Sequence, residues 1–193
     1  MIRIGLFSFQ RKVTRESLNL YYFEFKKAVP RINSTVSVDV ELCNSPVELE
    51  NVQSSVVEER ISQGHKLFVA RHQSKPVAYL FVTTTKCRVG EIDDMLLVGP
   101  NDVYLYDAYT NAEYRGNRIY PSLITDVVRF YKGNGFSCAL IFTTFSNQKS
   151  VRGIKRAGFS CYQIIRFYNL FGFRIWNYTA RSHDVQSRFS NEN

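Results

Sequence analysis

Arg115-Gly116-Asn117-Arg118 sets two guanidinium groups around a glycine turn. Ahead of it lie a strand-like run, Val103-Tyr104-Leu105-Tyr106-Asp107-Ala108-Tyr109-Thr110, and a short polar turn, Asn111-Ala112-Glu113-Tyr114. Behind it, apolar residues recur at Ile119, Leu123, Val127 and Tyr131. That four-residue spacing predicts one face of a helix. A strand feeding a glycine turn into a helix N-terminus is suited to phosphate. The first helical turn leaves backbone N–H groups unpaired, and the macrodipole adds partial positive charge there. Pro121 is tolerated in that turn, where its missing N–H has no partner to lose. Lys132, Lys149, Arg152, Lys155 and Arg156 follow the turn. The chemistry indicated is recognition of an anionic small molecule.

Other reactive residue types are scattered. His65 follows a helix-ending glycine and is expected at the surface, His72 falls in a hairpin turn, and His183 lies near the C-terminus. No pair has metal-ligand spacing, so no metal is assigned. No serine is framed as G-x-S-x-G and no cysteine has a histidine partner in its sequence context, which argues against a covalent acyl-enzyme. Cys43, Cys87, Cys138 and Cys161 are far apart and sit among apolar or strand-like neighbours. They read as reduced core residues of a cytoplasmic protein.

The elements that must position these groups can be read along the chain. With 193 residues and 45% hydrophobic content, the chain is globular. No apolar run reaches the ~18–20 residues that span a bilayer, and the first residues lack a signal-peptide pattern. The net charge of +8 suits nucleic acid, an anionic surface or an anionic ligand. No helix-turn-helix pattern, zinc finger or block of like charge occurs, which favours the small ligand. A basic balance also serves solubility alone.

Ile2 to Phe9 and Leu18 to Phe25 read as strands, and Val36 to Leu42 alternates more clearly. Ser45-Pro46-Val47-Glu48 is a capping box with proline at the first helical position, predicting a helix with Leu49, Val52 and Val56 on its apolar face and Gly64 at its end. Lys66 to Arg71 and Val77 to Thr85 predict a hairpin, and Ile92 to Val98 a second one with Val103 to Thr110. The helix after Arg118 stops near Asn134-Gly135, Ala139 to Thr144 reads as a buried parallel strand, and Asn147 to Arg156 as a short helix. Tyr162 to Tyr168 and Phe173 to Tyr178 form a last hairpin. The whole is one α/β domain over residues 1–180, with a loose polar tail over 181–193.

Residues Tyr109 to Tyr120 resemble the acyl-CoA signature of the GNAT superfamily of acetyltransferases, a strand followed by Arg/Gln-x-x-Gly-x-Gly/Ala and a helix. Asn147-Gln148-Lys149-Ser150, then Lys155-Arg156-Ala157-Gly158-Phe159, resembles the family's second landmark. The resemblance covers roughly residues 65–168. It implies a mixed, mostly antiparallel central sheet flanked by helices, with acetyl-CoA wedged in a V-shaped splay between the family's strands 4 and 5. By position, the backbone of Ala108 and Thr110 would pair with the pantetheine arm. The N–H groups from Gly116 through Asn117, Arg118 and Ile119 to Tyr120, with the Arg115 and Arg118 side chains, would hold the pyrophosphate. Asn147 and Ser150 would face the pantetheine or adenosine, and Lys149, Arg152 and Lys155 the 3′-phosphate. The sequence departs from the pattern at Arg118 and Tyr120, where small residues are usual, and at Ile154, where many members carry a tyrosine acid.

Acyl transfer to an amine needs a base, a proton donor and donors for the oxyanion. Asp107, the acid inside the strand, is the candidate base, and Tyr109 the candidate acid. N–H groups near Tyr109 and Thr110 would serve the oxyanion. The alternative for Asp107 is that it points away, orienting substrate or pairing with an arginine on a neighbouring strand. Glu91, Asp93 and Asp94 are second candidates for the base. The aromatic C-terminal hairpin suits either core packing or an apolar acceptor groove. The reading is an acyltransferase acting on a small-molecule amine, an amino sugar among the options. The rivals are a non-catalytic acyl-CoA-binding protein and a basic nucleic-acid-binding domain.

Overall fold

The apolar run around Leu105 lies in the middle of an eight-stranded sheet in the computed structural model, which describes residues 13–192. The strands are β1 (Thr14–Glu24), β2 (Asp39–Cys43), β3 (Lys66–His72), β4 (Lys75–Thr83), β7 (Asp102–Thr110), β8 (Cys138–Thr144), β9 (Ser160–Leu170) and β10 (Phe173–Tyr178). Their order across the sheet is β10-β9-β1-β8-β7-β4-β3-β2. Only β7 and β8 run parallel; every other neighbouring pair is antiparallel. The expected mixed, mostly antiparallel architecture is present. The strand predicted over Ile2 to Phe9 lies outside the described residues.

Helices cover both faces. On one, α2 (Ile119–Gly133) and α3 (Gln148–Arg156) bury Leu123, Val127, Val151 and Ile154 against Val103, Leu105 and Ile141. On the other, α1 (Ser54–Ser62) packs Val57 against Val69, Tyr79 and Phe81. A three-stranded sheet of β5 (Lys86–Val89), β6 (Asp94–Leu97) and β11 (Arg188–Phe189) packs Leu96 and Phe189 beside Tyr104 and Leu140.

Four sequence expectations are corrected. The helix begins at Ser54, not after Ser45. Asn51 takes a left-handed φ of 69° and folds Leu49 back onto Val52, so both reach the core from a turn. Asparagine tolerates that conformation better than most residues. Second, β6 does not pair with β7. Gly99 runs tight against Gln186, and its N–H donates to Ser187 Oγ, so this link passes from one sheet to the other. Third, the segment after Arg181 is not loose. Val185, Ser187 and Phe189 are buried, β11 pairs with β6, and Arg181 forms an ion pair with Glu192. Alternate burial of small and aromatic residues was hidden there by a polar composition. Fourth, Cys43, Cys87 and Cys138 are buried free thiols, but Cys161 is exposed.

Candidate functional site

The sheet comes apart at one place. β7 and β8 pair from Asp102–Cys138 to Leu105–Ile141 and no further. Just beyond Leu105, β7 carries an extra residue relative to β4: Phe81 faces Tyr106, but Tyr79 faces Tyr109. Asp107 sits in this bulge at φ 45°. A bulge adds local twist and redirects side chains. Tyr106 therefore packs on the α1 face, while Ala108 packs on the α2 face. Past the bulge, β7 has lost its β8 partner, so one row of its backbone groups is left for a ligand.

A cleft of about 750 Å³ opens at that splay. Ala108, Tyr109 and Thr110 of β7 form one wall, and Arg115, Gly116, Arg118, Ile119 and Tyr120 the next. Asn147 and Ser150 of the α3 N-terminus close the third side. Two helix N-termini thus meet in one cavity. The lining also carries Lys149, Arg152 and Arg156, so it holds five cationic side chains and no carboxylate. Among the described residues, none of these five cations is in an ion pair.

Local chemistry explains each wall. Gly116 has φ 87° and Arg118 φ 59°, so the turn needs left-handed backbone twice. Arg118 takes the conformation that a glycine adopts freely, and it stands as the N-cap of α2 without a side-chain cap. Its orphan N–H neighbours stay available. In α3, Asn147 Oδ1 caps the helix by accepting from Ser150 N at 3.1 Å. Arg115 Nε donates to the Thr110 carbonyl at 3.0 Å, and its guanidinium lies 5.3 Å from the Tyr109 ring centre. Tyr120 leans across to α3 and rests on Gly153. Burial raises the Tyr120 phenol pKa against a smaller lowering by Ser150, so it stays a neutral donor.

Three proposed residues stand apart from the cleft lining: Asn117, Asp107 and Lys155, whose place there is taken by Arg156. Asn117 braces the turn: its Nδ2 donates to the Tyr114 carbonyl, and its Oδ1 accepts from Thr35 Oγ1 at 2.7 Å. Asp107 points to the α1 face and forms an ion pair with Arg60. Tyr109 lines the cleft, yet its hydroxyl donates to Glu50 Oε1 at 3.1 Å. Asp93, another acid considered, is held by Arg88 and Arg174, and Asp94 is buried under donors from Ser190, Tyr178 and Asn191.

Sequence reasoning missed a group on the α1 face. His65, expected at the surface, is only 8% exposed and its Nδ1 is hydrogen-bonded to the Tyr106 hydroxyl. Burial, then the nearby Arg60 charge, lowers its pKa. Arg60 lies 4.5 Å from the Phe81 ring centre and 5.3 Å from that of Tyr106. Nothing local announced this, because α1, β3 and β7 meet only in three dimensions. Gly153 was also missed; a glycine inside a short helix was the available signal.

The acetyltransferase (GNAT) family model matches residues 38–159, more than half of the chain. The protein belongs to the GNAT family of acetyltransferases. Solved structures share the fold at low identity. A Drosophila protein aligns with a TM-score of 0.56 at 10% identity over 83% of this chain and 52% of its own. A GNAT-family acetyltransferase from Colwellia psychrerythraea gives 0.52 at 12% over 78% and 54%. A glucosamine N-acetyltransferase region of a fungal multi-domain beta-N-acetylglucosaminidase gives 0.54 at 12% over 81% and 21%. The chain thus spans about half the length of the first two. No curated protein matches it in sequence.

Proposed function

We propose that this protein transfers an acetyl group from acetyl-CoA to the amine of a small molecule. The observation that carries the reading is the cleft at the β7–β8 splay, with two helix N-termini, five cations and no carboxylate. Such a cavity favours a polyanion with an extended neutral arm. The donor residues fit that ligand. Backbone N–H groups from Gly116 to Tyr120 and the Arg115 and Arg118 side chains would hold a pyrophosphate. Lys149, Arg152 and Arg156 would meet a further phosphate. The free edge of β7 at Ala108 and Thr110 would pair with amides of the arm, with Asn147 and Ser150 opposite. When bound, acetyl-CoA supplies an activated acyl group with a thiolate as leaving group. Ile154 is fully buried in the core, so the usual tyrosine position offers no acid here. Tyr120, which lines the cleft and keeps its phenol proton, is proposed as the neutral donor in its place.

For the acceptor, an amino sugar is the class proposed. Tyr106 and Tyr109 of β7 are part-exposed aromatic residues beside the bulge, and one fold relative is a glucosamine N-acetyltransferase region. Asp107, paired with Arg60, is proposed to hold the bulge open rather than to take a proton.

The test is thermal unfolding with acetyl-CoA, CoA and no ligand, followed by acetyl transfer to glucosamine. A ligand at ~100 times its dissociation constant adds about 2.7 kcal/mol of stability. A clear rise in Tm with transfer supports the proposal. A rise without transfer to any amine identifies a non-catalytic acyl-CoA-binding protein. No rise refutes donor binding.

A further inference from the structure

We propose that the outer corner of the sheet, where β9 turns into β10, docks onto an anionic lipid bilayer. The proposal is independent of the acetyl-transfer reading. β1 and β9 stay paired out to Thr14–Asn169, and β9 and β10 out to Leu170–Phe173, whereas β8 leaves β1 at Leu18–Thr144. The hairpin and the start of β1 therefore project past the end of β8 by four residues, roughly 13 Å. Side chains alternate between the two faces of a strand. Ile165, Phe167 and Trp176 turn toward the small sheet. Tyr168, Leu170, Phe173 and Ile175 thus share the opposite face with Arg15 and Arg166. The core beneath α2 and α3 takes Tyr21 and Phe23 of β1, toward the other end of that strand. The projecting face is left to solvent among the described residues: Phe173 is 77% exposed, Ile175 49% and Leu170 38%. Phe145, whose N–H donates to the Ser17 carbonyl beside this face, is 63% exposed. Large apolar side chains gathered at the surface in this way mark an interaction site.

The order of side chains along the strands selects the partner. Leu170 and Phe173 stand at the tip. Tyr168, Ile175 and Arg15 lie one step back, and Arg166, Asn177 and Ser17 a further step. Each step is two residues, about 6.6 Å. Apolar groups first, then a tyrosine and cations, follow the passage from acyl chains to headgroups, and an apolar face held at a bilayer surface sinks about 5–10 Å. The Arg15 guanidinium lies 5.7 Å from the Tyr168 ring centre. Arg15 and Arg166 are exposed, and among the described residues neither is in an ion pair. None of the residues named on this face carries a carboxylate. The opposite face at the tip holds Thr14, Asn169 and Arg174, the last paired with Asp93. The hairpin is therefore suited to rest on the surface by one face, not to enter end on. A second copy offering the same patch would set cation against cation, and a protein partner would need a groove to receive a projecting edge. An anionic bilayer answers both the charge and the shape.

The experiment is co-sedimentation of the full chain with vesicles of equimolar phosphatidylglycerol and phosphatidylcholine, with pure phosphatidylcholine vesicles alongside, at low and high salt. The variants are Phe173→Ser with Ile175→Ser, Arg15→Gln with Arg166→Gln, and Phe130→Ser, an exposed apolar position on α2. All five side chains are exposed, and thermal unfolding checks that each variant keeps its fold. The expected result is binding to the anionic vesicles, about 10-fold or more weaker to pure phosphatidylcholine. Removing Phe173 and Ile175 should weaken it by about 10-fold or more at unchanged net charge. Removing Arg15 and Arg166 should weaken it by about 10-fold or more and flatten the salt dependence. Phe130→Ser should stay within about 2-fold of wild type, since a single surface apolar residue is ordinary. Binding kept within about 3-fold by the Phe173 and Ile175 double variant would be charge adsorption alone and overturns the inference. Absence of vesicle binding overturns it too. Light scattering then tests for a dimer that Ile175→Ser splits, and retention on polyglutamate through Arg15 and Arg166 tests for an acidic protein partner.

Discussion

The Tyr120 ring lies directly on Gly153: a Cβ built at position 153 would stand 2.6 Å from Tyr120 Cδ1 and 2.9 Å from Cε1. A tyrosine where the family pattern has a small residue is matched by a glycine on the facing helix. Gly153→Ala gains about 1 kcal/mol from helix propensity and loses about 1–3 kcal/mol by overpacking. The expected outcome is lower stability in chemical denaturation. In a Tyr120→Ala background the sign should reverse, with Gly153→Ala stabilising. Additive effects would show that the two residues do not share this contact.

Arg118 holds a left-handed conformation at φ 59° on the rim of the cleft. That backbone costs a non-glycine residue roughly 1–2 kcal/mol, of which glycine gives back about 0.5–1 kcal/mol through the unfolded state. Arg118→Gly should leave Tm unchanged or slightly raised. It should weaken acetyl-CoA binding by about 10-fold or more, since a charge-assisted hydrogen bond is worth about 1.5–3 kcal/mol. Titration at two salt concentrations checks both, with a shallower salt dependence in the variant.

Asp107 and Arg60 form one unit on the α1 face. If the carboxylate holds the bulge, Asp107→Asn should lower kcat by less than about 10-fold and leave the pH profile in place. A general base would show about 100-fold or more. The pH dependence of kcat/KM for this variant separates the two roles.

His65 has its pKa lowered by burial and by Arg60. Below its ordinary value of 6.5, the unfolded chain binds a proton that the folded chain resists. Its contribution is therefore present above pH 6.5 and is lost as pH falls toward the lowered folded value. Stability measured from pH 7.5 to 5 should decline, and His65→Gln should flatten that decline.

Phe189 is 2% exposed between Phe142 and Tyr178, and β11 completes the small sheet. Phe189→Ala should cost about 3–5 kcal/mol. Glu192→Gln should destabilise less and remove part of the acid sensitivity. The Glu192 carboxyl is held low by Arg181 and Gln163 against an opposing push from burial, so its contribution is lost as pH falls through the carboxylate range. Urea unfolding at pH 7 and pH 4 checks both.

Periodicity and turn chemistry placed β7, α2, β8, α3 and the last hairpin close to where they lie, because each is long, strongly patterned and punctuated by glycine. The cleft-lining residues Ala108, Tyr109, Thr110, Arg115, Gly116, Arg118, Ile119 and Tyr120, with Asn147 and Ser150, were legible for the same reason: they belong to two contiguous segments whose backbone does the positioning. Strand pairing was less legible. β7 takes β4 and β8 as neighbours, and β1 sits between β8 and β9, choices made by long-range burial.

The sequence by itself determined a basic α/β chain with a phosphate-suited turn at Arg115-Gly116-Asn117-Arg118, since local hydrogen bonding and helix polarity follow from residue order. Tertiary structure alone decided the rest. It turned Asp107 onto Arg60, buried His65 beneath Tyr106, set Tyr120 on Gly153 and drew the C-terminal segment into a sheet. Each of these joins residues distant in the chain, and burial and charge pairing between distant segments carry no local signature.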